Sequence, residues 1–240
     1  MKLGILVGSI LPLDVIRDEG PVPNAHGMPS GRVHSIKVKG GALLLLARHG
    51  MPPTIPPHRV DHKANVMTLK DAGAEAIVSV CSAGALKEDM PVPVYAVPDD
   101  YIDLFSGATS IDGMIRHMTP ELSPILRGAL SKACREKDLD LIEGGTYVQV
   151  RGPRLETVSE IRLLSSWGDY VGMNMGPEVT LSMEFGLPTA GLLSVENLGH
   201  GLRGHRPDYK EILSSSRSRW SQVLDVLGML PTLLQGKLDR

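Results

Sequence analysis

The first apolar run is short and nearly unbroken: Leu3, Ile5, Leu6 and Val7, closed by Gly8-Ser9. A run of this length bounded by turn residues reads as a strand buried on both faces. Residues 10–31 carry Pro12, Pro21, Pro23, Pro29, Gly20, Gly27 and Gly31 and read as loop. Residues 32–38 form an imperfectly alternating strand with Val33, Ile36 and Val38, and Gly40-Gly41 is a hairpin signal before Ala42-Leu43-Leu44-Leu45-Leu46-Ala47. Prolines return at 52, 53, 56 and 57, so residues 48–57 are loop again. Val60, Ala64, Met67 and Leu69 then predict a helix over 59–72, stopped by Gly73. Residues 76–80 are the next buried strand, with Ser82-Ala83-Gly84-Ala85 as a small-residue turn. Residues 92–97 form another strand, weakened by Pro93.

In the second half, residues 104–119 read as irregular. Leu122, Ile125, Leu126, Leu130 and Cys134 predict a helix over 120–136. Leu141-Ile142 and residues 146–150 are strand-like, 155–167 and 177–185 helical, and 187–195 a last strand interrupted by Pro188 and Gly191. Asp208, with Glu211 three residues on, resembles a capping box for a terminal helix running towards Leu227. Strands alternating with helices predict an α/β fold: one domain over residues 1–240, with a central mixed β-sheet flanked by helices. Ligands in such folds sit at the loops beyond the strand ends. The turns at Gly8-Ser9, Arg48-His49, Ser82 to Gly84 and Asn197 are therefore where chemistry is expected.

Composition changes this picture little. Aromatic residues are only 4%, so the core is built from aliphatic side chains and Met. A formal net charge of -2 gives no electrostatic footprint for nucleic acid or an anionic membrane. Two cysteines, Cys81 and Cys134, make no disulfide scaffold in 240 residues, and a reducing cytoplasm is the expected location. The start of the chain meets Gly8, Pro12 and Asp14 too early for a signal-peptide apolar region, and no stretch has the length of a membrane helix.

Several turns carry candidate chemistry. Gly8-Ser9 offers backbone N–H groups and a hydroxyl to an anion, as small turns can. Arg48 follows a buried strand, and Arg is the preferred bidentate partner of an oxyanion. A surface Arg is the plainer alternative. Glu156 lies in Gly152-Pro153-Arg154-Leu155-Glu156-Thr157, a turn leading into a helix, where complementing the helix dipole is a strong alternative role. Asn197 has an amide that both donates and accepts, which suits the edge of a heterocycle; a turn-forming Asn is equally common. The eight histidines show no familiar metal-ligand spacing, and neither a P-loop, a GxGxxG nor a GxSxG motif is present.

Taken together, the motifs Gly4-Ile5-Leu6-Val7-Gly8-Ser9, Ala47-Arg48-His49-Gly50, Ile55-Pro56-Pro57-His58 with Lys63-Ala64-Asn65, Gly145-Thr146-Tyr147-Val148, the turn around Glu156, Gly172-Met173 and Pro177-Glu178 resemble the trimeric purine nucleoside phosphorylase family. Within it, the wording is most similar to the methylthioadenosine and methylthioinosine phosphorylase branch. The likeness runs from Gly4 to about Gly201.

The resemblance implies phosphorolysis of a purine nucleoside, with inorganic phosphate as co-substrate and neither metal nor organic cofactor. It implies that Ser9, Arg48, His49, Ser82 and Asn174 bind phosphate. Ala83, Gly84, Leu155, Met173 and Tyr209 then join Glu156 and Asn197 around the nucleoside, with Asn197, Glu156 and Arg48 closest to the chemistry. A homotrimer, or a dimer of trimers, is implied as well. An ionised Glu156 accepts the N1–H of a 6-oxopurine and mismatches the bare N1 of adenine, so methylthioinosine, inosine or guanosine is the expected substrate. Asn174 stands where the family usually has Thr or Ser, and Glu196 where a small or apolar residue is common. Methylthioadenosine phosphorolysis, a non-catalytic nucleoside-binding role and hydrolysis are the alternative readings.

Overall fold

The computed structural model describes residues 1–12 and 22–238. Positions 13–21 of the expected 10–31 loop, and positions 239–240, lie outside the described residues. The strands are β1 (Lys2–Val7), β2 (His34–Val38), β3 (Gly41–Ala47), β4 (Ala76–Ala85), β5 (Val94–Val97), β6 (Asp100–Ile102), β7 (Leu141–Glu143), β8 (Thr146–Gln149), β9 (Tyr170–Gly172) and β10 (Thr189–Leu198). The helices are α1 (His62–Asp71), α2 (Pro124–Glu136), α3 (Val158–Leu164), α4 (Met175–Glu184), α5 (Tyr209–Ser218) and α6 (Trp220–Leu233).

The strands join one mixed sheet in the order β2-β3-β1-β4-β10-β5-β7. β4 also pairs antiparallel with β9, which continues through β8 to β6, so the sheet forks at β4. β1 lies parallel between β3 and β4, and β4 parallel to β10. The hairpin forms where Gly40-Gly41 signals it: Gly40 takes φ 84, and Val38 pairs with Gly41. Left-handed backbone of this kind is strained for any residue with a β-carbon.

Strand alternation distributes the core between two faces. Leu3, Ile5, Val7, Leu43, Leu45, Ala76, Val78 and Val80 pack with Leu126, Leu130, Val223 and Leu227 of α2 and α6. The intervening Leu6, Leu44, Leu46 and Ile77 pack with Val66 and Leu69 of α1 and Leu181 of α4. A continuous Leu run is therefore needed in β3, because both faces are covered.

Several element boundaries differ from expectation. β4 does not stop at Val80 but runs on to Ala85, so Ser82 to Gly84 lie in a strand rather than a turn. β10 likewise continues to Leu198 and contains Asn197. Parallel pairing of these two strands supplies the main-chain bonds that carry both past their apolar stretches. The helix expected over 155–167 is only α3, because Thr157 caps it with a capping box completed by Glu160. The terminal helix breaks at Arg219 into α5 and α6, and α6 passes Leu227 to end at Leu233. β6 and β9 are too short and weakly patterned to have been read as strands.

Leu227 is fully buried among the α2, α6 and strand side chains. Leu227→Ala is expected to cost about 2–5 kcal/mol, seen as a lower urea midpoint at an unchanged denaturant slope.

Candidate active site

β1 and β3 end side by side, with Val7 paired to Ala47, and the main-chain N–H of Arg48 extends the ladder to the carbonyl of Val7 at 3.0 Å. Gly8 and Arg48 thus leave the sheet as neighbours. Ala47 faces α2 and α6, so alternation turns Arg48 to the other face, towards α4.

There Arg48 is 1% exposed and its guanidinium is almost fully engaged. Nε donates to Glu178 Oε1 at 2.6 Å and Nη2 to Glu178 Oε2 at 2.9 Å. Nη2 also donates to the carbonyl of Leu6 at 2.7 Å, and Nη1 to that of Val80 at 2.9 Å. A guanidinium has five N–H bonds. These contacts use four, Nη1 also lies against Gly8, and the Cys81 thiol is a further hydrogen-bond partner of the guanidinium. A β-carbon at Gly8 would collide with Nη1 and stand 3.7 Å from His49 Nε2. The Gly8-Ser9 turn, Arg48 Nη1 and His49 Nε2 therefore converge on one point at the strand ends.

Glu178 sits in the first turn of α4 with no exposed surface. Its Oε2 accepts from Ser79 Oγ at 2.5 Å, and His62 Nδ1 stands 3.6 Å from Oε1. Burial opposes its charge, but the Arg48 guanidinium, aided by His62, overrides that and holds the carboxyl well below the usual carboxylate range. The Pro177-Glu178 motif was visible in the sequence without a role. The signal for one was a carboxylate on the helix face that packs on the sheet, since a buried Arg needs a buried partner.

The side chains expected at the anion divide. His49 Nε2 lies beside Gly8, and the His49 ring is pushed down to about 4 by burial and by Arg48. Ser82 does not join them: alternation along the extended β4 turns it to α5, where its hydroxyl lies 2.7 Å from Ser216 Oγ. Cys81, one residue earlier, faces Arg48 and Glu178 instead, with Sγ 3.3 Å from Ser79 Oγ. Sequence reasoning missed this position because it took β4 to have ended. Asn174 caps α4 through its backbone only, and its Oδ1 is buried without a partner. The first N–H groups of α4 go to other groups: those of Asn174 and Met175 to Tyr147 Oη, and that of Gly176 to Gln149 Oε1.

Around the expected nucleoside, the segment holding Leu155 and Glu156 lies over the turn after β10. His200 Nδ1 is 3.2 Å from the carbonyl of Glu156, and a β-carbon at Gly201 would press on Val158. Glu156 does not serve the helix dipole, because α3 starts after it and Glu160 completes the cap. Burial pushes the Glu156 carboxyl above its ordinary range. Asn197 Nδ2 donates to the carbonyl of Leu198 at 2.7 Å and lies near Gly84, with Ala83 buried beside it in β4. Glu196 is turned to α5, where Oε2 accepts from Ser215 Oγ at 2.6 Å. Met173 lines a cleft of about 700 Å³ together with His58, Gln149, Arg151, Phe105 and Pro177. Tyr209 is 62% exposed at the start of α5.

Among the described residues no group of His, Cys, Asp and Glu side chains could hold a metal ion, and no helix is long and apolar enough to cross a membrane. Both cysteines are free and buried.

A forked mixed sheet of this kind, flanked by helices, is the architecture of a nucleoside phosphorylase-type enzyme. Residues 2–227 match the Phosphorylase superfamily, and the chain belongs to it. It is 34% identical over 229 residues to a probable 6-oxopurine nucleoside phosphorylase of Archaeoglobus fulgidus, covering 94% of this chain and 93% of that one. It is 33% identical over 202 residues to a probable S-methyl-5'-thioinosine phosphorylase of Methanocaldococcus jannaschii, covering 82% and 80%. Among solved structures, methylthioadenosine phosphorylase from Schistosoma mansoni in complex with adenine superposes with a TM-score of 0.88 at 25% identity, covering 98% of this chain and 92% of that one.

Removing one member of a buried ion pair leaves the other uncompensated. Glu178→Gln is therefore expected to cost about 3 kcal/mol at neutral pH, read from denaturant unfolding. The folded pKa of Glu178 is depressed, so its contribution is present above the ordinary carboxylate value of about 4.3 and lost as pH falls below it. The gap between wild type and Glu178→Gln should narrow on acidification.

Proposed function

We propose that the protein catalyses phosphorolysis of a 6-oxopurine nucleoside, S-methyl-5'-thioinosine or inosine/guanosine, to the free base and (methylthio)ribose 1-phosphate. The observation that carries this reading is the convergence of Arg48 Nη1, His49 Nε2 and the Gly8-Ser9 turn on one point at the sheet edge. An oxyanion held there lies beneath the sugar. Phosphate oxygen attacks C1′ as the bond to N9 breaks, and the electron pair leaves with the purine. The sugar carries positive charge in passing, so a bound dianion both stabilises it and is positioned to react.

Arg48 takes part through Nη1, while Glu178 fixes the rest of the guanidinium. Asn197 donates one amide hydrogen to Leu198 and keeps the other for the departing base. Glu156 in its ionised form accepts N1–H of a 6-oxopurine. The relatives named for 6-oxopurine nucleosides and methylthioinosine support that base choice. Met173 and the cleft beside it take the sugar. Asn174, whose Oδ1 is unspent, assists with phosphate, and Tyr209 stands at the 5′ side. The reaction uses no metal or organic cofactor. We propose that the enzyme works in the cytoplasm as a homotrimer, with neither nucleic acid nor membrane as a partner.

Base release from methylthioinosine, inosine, guanosine and methylthioadenosine, each with and without phosphate, tests the reading. Hypoxanthine or guanine release that depends on phosphate is expected. Equal release without phosphate would make the protein a hydrolase, and binding without release would leave it a nucleoside-binding member of the superfamily.

Glu156→Ser removes the acceptor for N1–H. It is expected to lower kcat/KM on the 6-oxopurine substrate by about 10- to 100-fold and to shift preference towards methylthioadenosine. Because the Glu156 carboxyl is raised, the wild-type kcat/KM should fall on the acid side at a pH above the usual carboxylate range, and that limb should vanish in Glu156→Ser.

A further inference from the structure

Residues 151–156 carry Glu156 through irregular backbone between β8 and α3. Upstream, the N–H of Val150 donates to the carbonyl of Gly172 at 2.8 Å, and downstream the cap at Thr157 starts α3. Among the described residues, no main-chain group of 151–156 bonds to other main chain. The single hydrogen bond that reaches this main chain from outside the segment comes from His200, whose Nδ1 lies 3.2 Å from the Glu156 carbonyl oxygen. A carbonyl only accepts, so Nδ1 carries the hydrogen.

His200 stands between two glycines that let its backbone come close enough to make this bond. The N–H of Gly199 donates to the carbonyl of Ala85 at 2.8 Å, which fixes the turn to the end of β4. A β-carbon at Gly199 would stand 2.9 Å from the Ile161 side chain, and one at Gly201 2.8 Å from that of Val158, both on α3. Gly201 also takes φ 90, a conformation that strains any residue with a β-carbon. The turn that leaves β10 just after Asn197 is thus pressed against the start of α3, with no room for a side chain on either side of His200. The Glu156 carboxyl is hydrogen-bonded by its own main-chain N–H, so it follows wherever that main chain is held.

We propose that His200 is a positioning residue for base selection: its Nδ1–H, presented between Gly199 and Gly201, sets the Glu156 carboxylate in register with the Asn197 amide, so that a 6-oxopurine meets both. The proposal rests on the reading of Glu156 and Asn197 as the base-facing pair. Asn197 is fixed by the ladder between β10 and β4, whereas Glu156 has no ladder of its own. His200 transmits the position of the strand end to the irregular segment. Without its donor the Glu156 carbonyl loses its partner, the segment shifts, and the acceptor for N1–H moves with it. Adenine has no N1–H and so has no bond to lose there.

Isothermal titration calorimetry of the intact protein with hypoxanthine and with adenine, each in the presence of sodium phosphate, tests this. His200→Leu is expected to weaken hypoxanthine about tenfold and to leave adenine within about threefold. His200→Asn carries an amide N–H as many bonds from Cα as Nδ1 of His, and should restore hypoxanthine to within about threefold of wild type. In the Glu156→Ser background His200→Leu should weaken hypoxanthine no further, because no carboxylate is left to place. A merely structural contact would add its full cost in both backgrounds.

Equal weakening of the two bases, an undiminished effect in the Glu156→Ser background, or no rescue by His200→Asn would overturn the proposal, even while phosphate-dependent base release continued. The expected binding pattern without phosphate-dependent base release would sustain it and overturn phosphorolysis instead. Wild-type protein that binds neither base would overturn both.

Discussion

The site is organised by a buried ion pair. Removing Arg48 and Glu178 from water is costly for each, by several kcal/mol even after relaxation, and only near-complete pairing makes it tolerable. The pairing here is bidentate, with Ser79 on the carboxylate and two strand carbonyls on the guanidinium. That arrangement ties β1, β3, β4 and α4 together at the strand ends. It also fixes the orientation of the guanidinium, with Nη1 against Gly8. An Arg free to rotate would bind an oxyanion with two parallel bonds. This one is a fixed donor, and its precision comes from what it has already given up.

Much of the fold was legible from the chain. The continuous apolar strands, the Gly40-Gly41 hairpin and the Asp208 cap all appear where the pattern put them. The extent of β4 and β10 was not legible, because their ends are built from Ser, Ala, Gly, Glu and Asn, which have no strand preference. Main-chain pairing between the two strands holds those residues extended, and pairing is a long-range property. One error in the site followed directly. With β4 ended at Val80, Ser82 reads as a turn residue, and the family resemblance sets it at the phosphate. With the strand continuing, its side is dictated, and it meets Ser216.

Other features were visible as residues but silent as roles. Glu178 was quoted within a motif, yet nothing local tells a reader that an acid in an apolar helix is the partner of an Arg 130 positions earlier. Glu196 looked like an unexplained charge beside Asn197, and its explanation lies on α5, in the hydroxyl of Ser215. Glu156 invited a helix-dipole role that the capping box at Thr157 and Glu160 fills. In each case the missing information was the position of a second element, which composition and periodicity do not carry.

The register slip in β10 has its own consequence. Val195 pairs with Ala83 and Asn197 with Gly84, so Glu196 is one residue more than the opposing strand can match. Such an insertion advances the phase of every side chain that follows it. The Asn197 amide beside Gly84 and the Glu196 carboxylate anchored to α5 are consecutive in sequence yet serve separate neighbours. The slip resets the phase of Asn197 and Leu198 against β4, and it is in this shifted register that the Asn197 amide comes to lie beside Gly84.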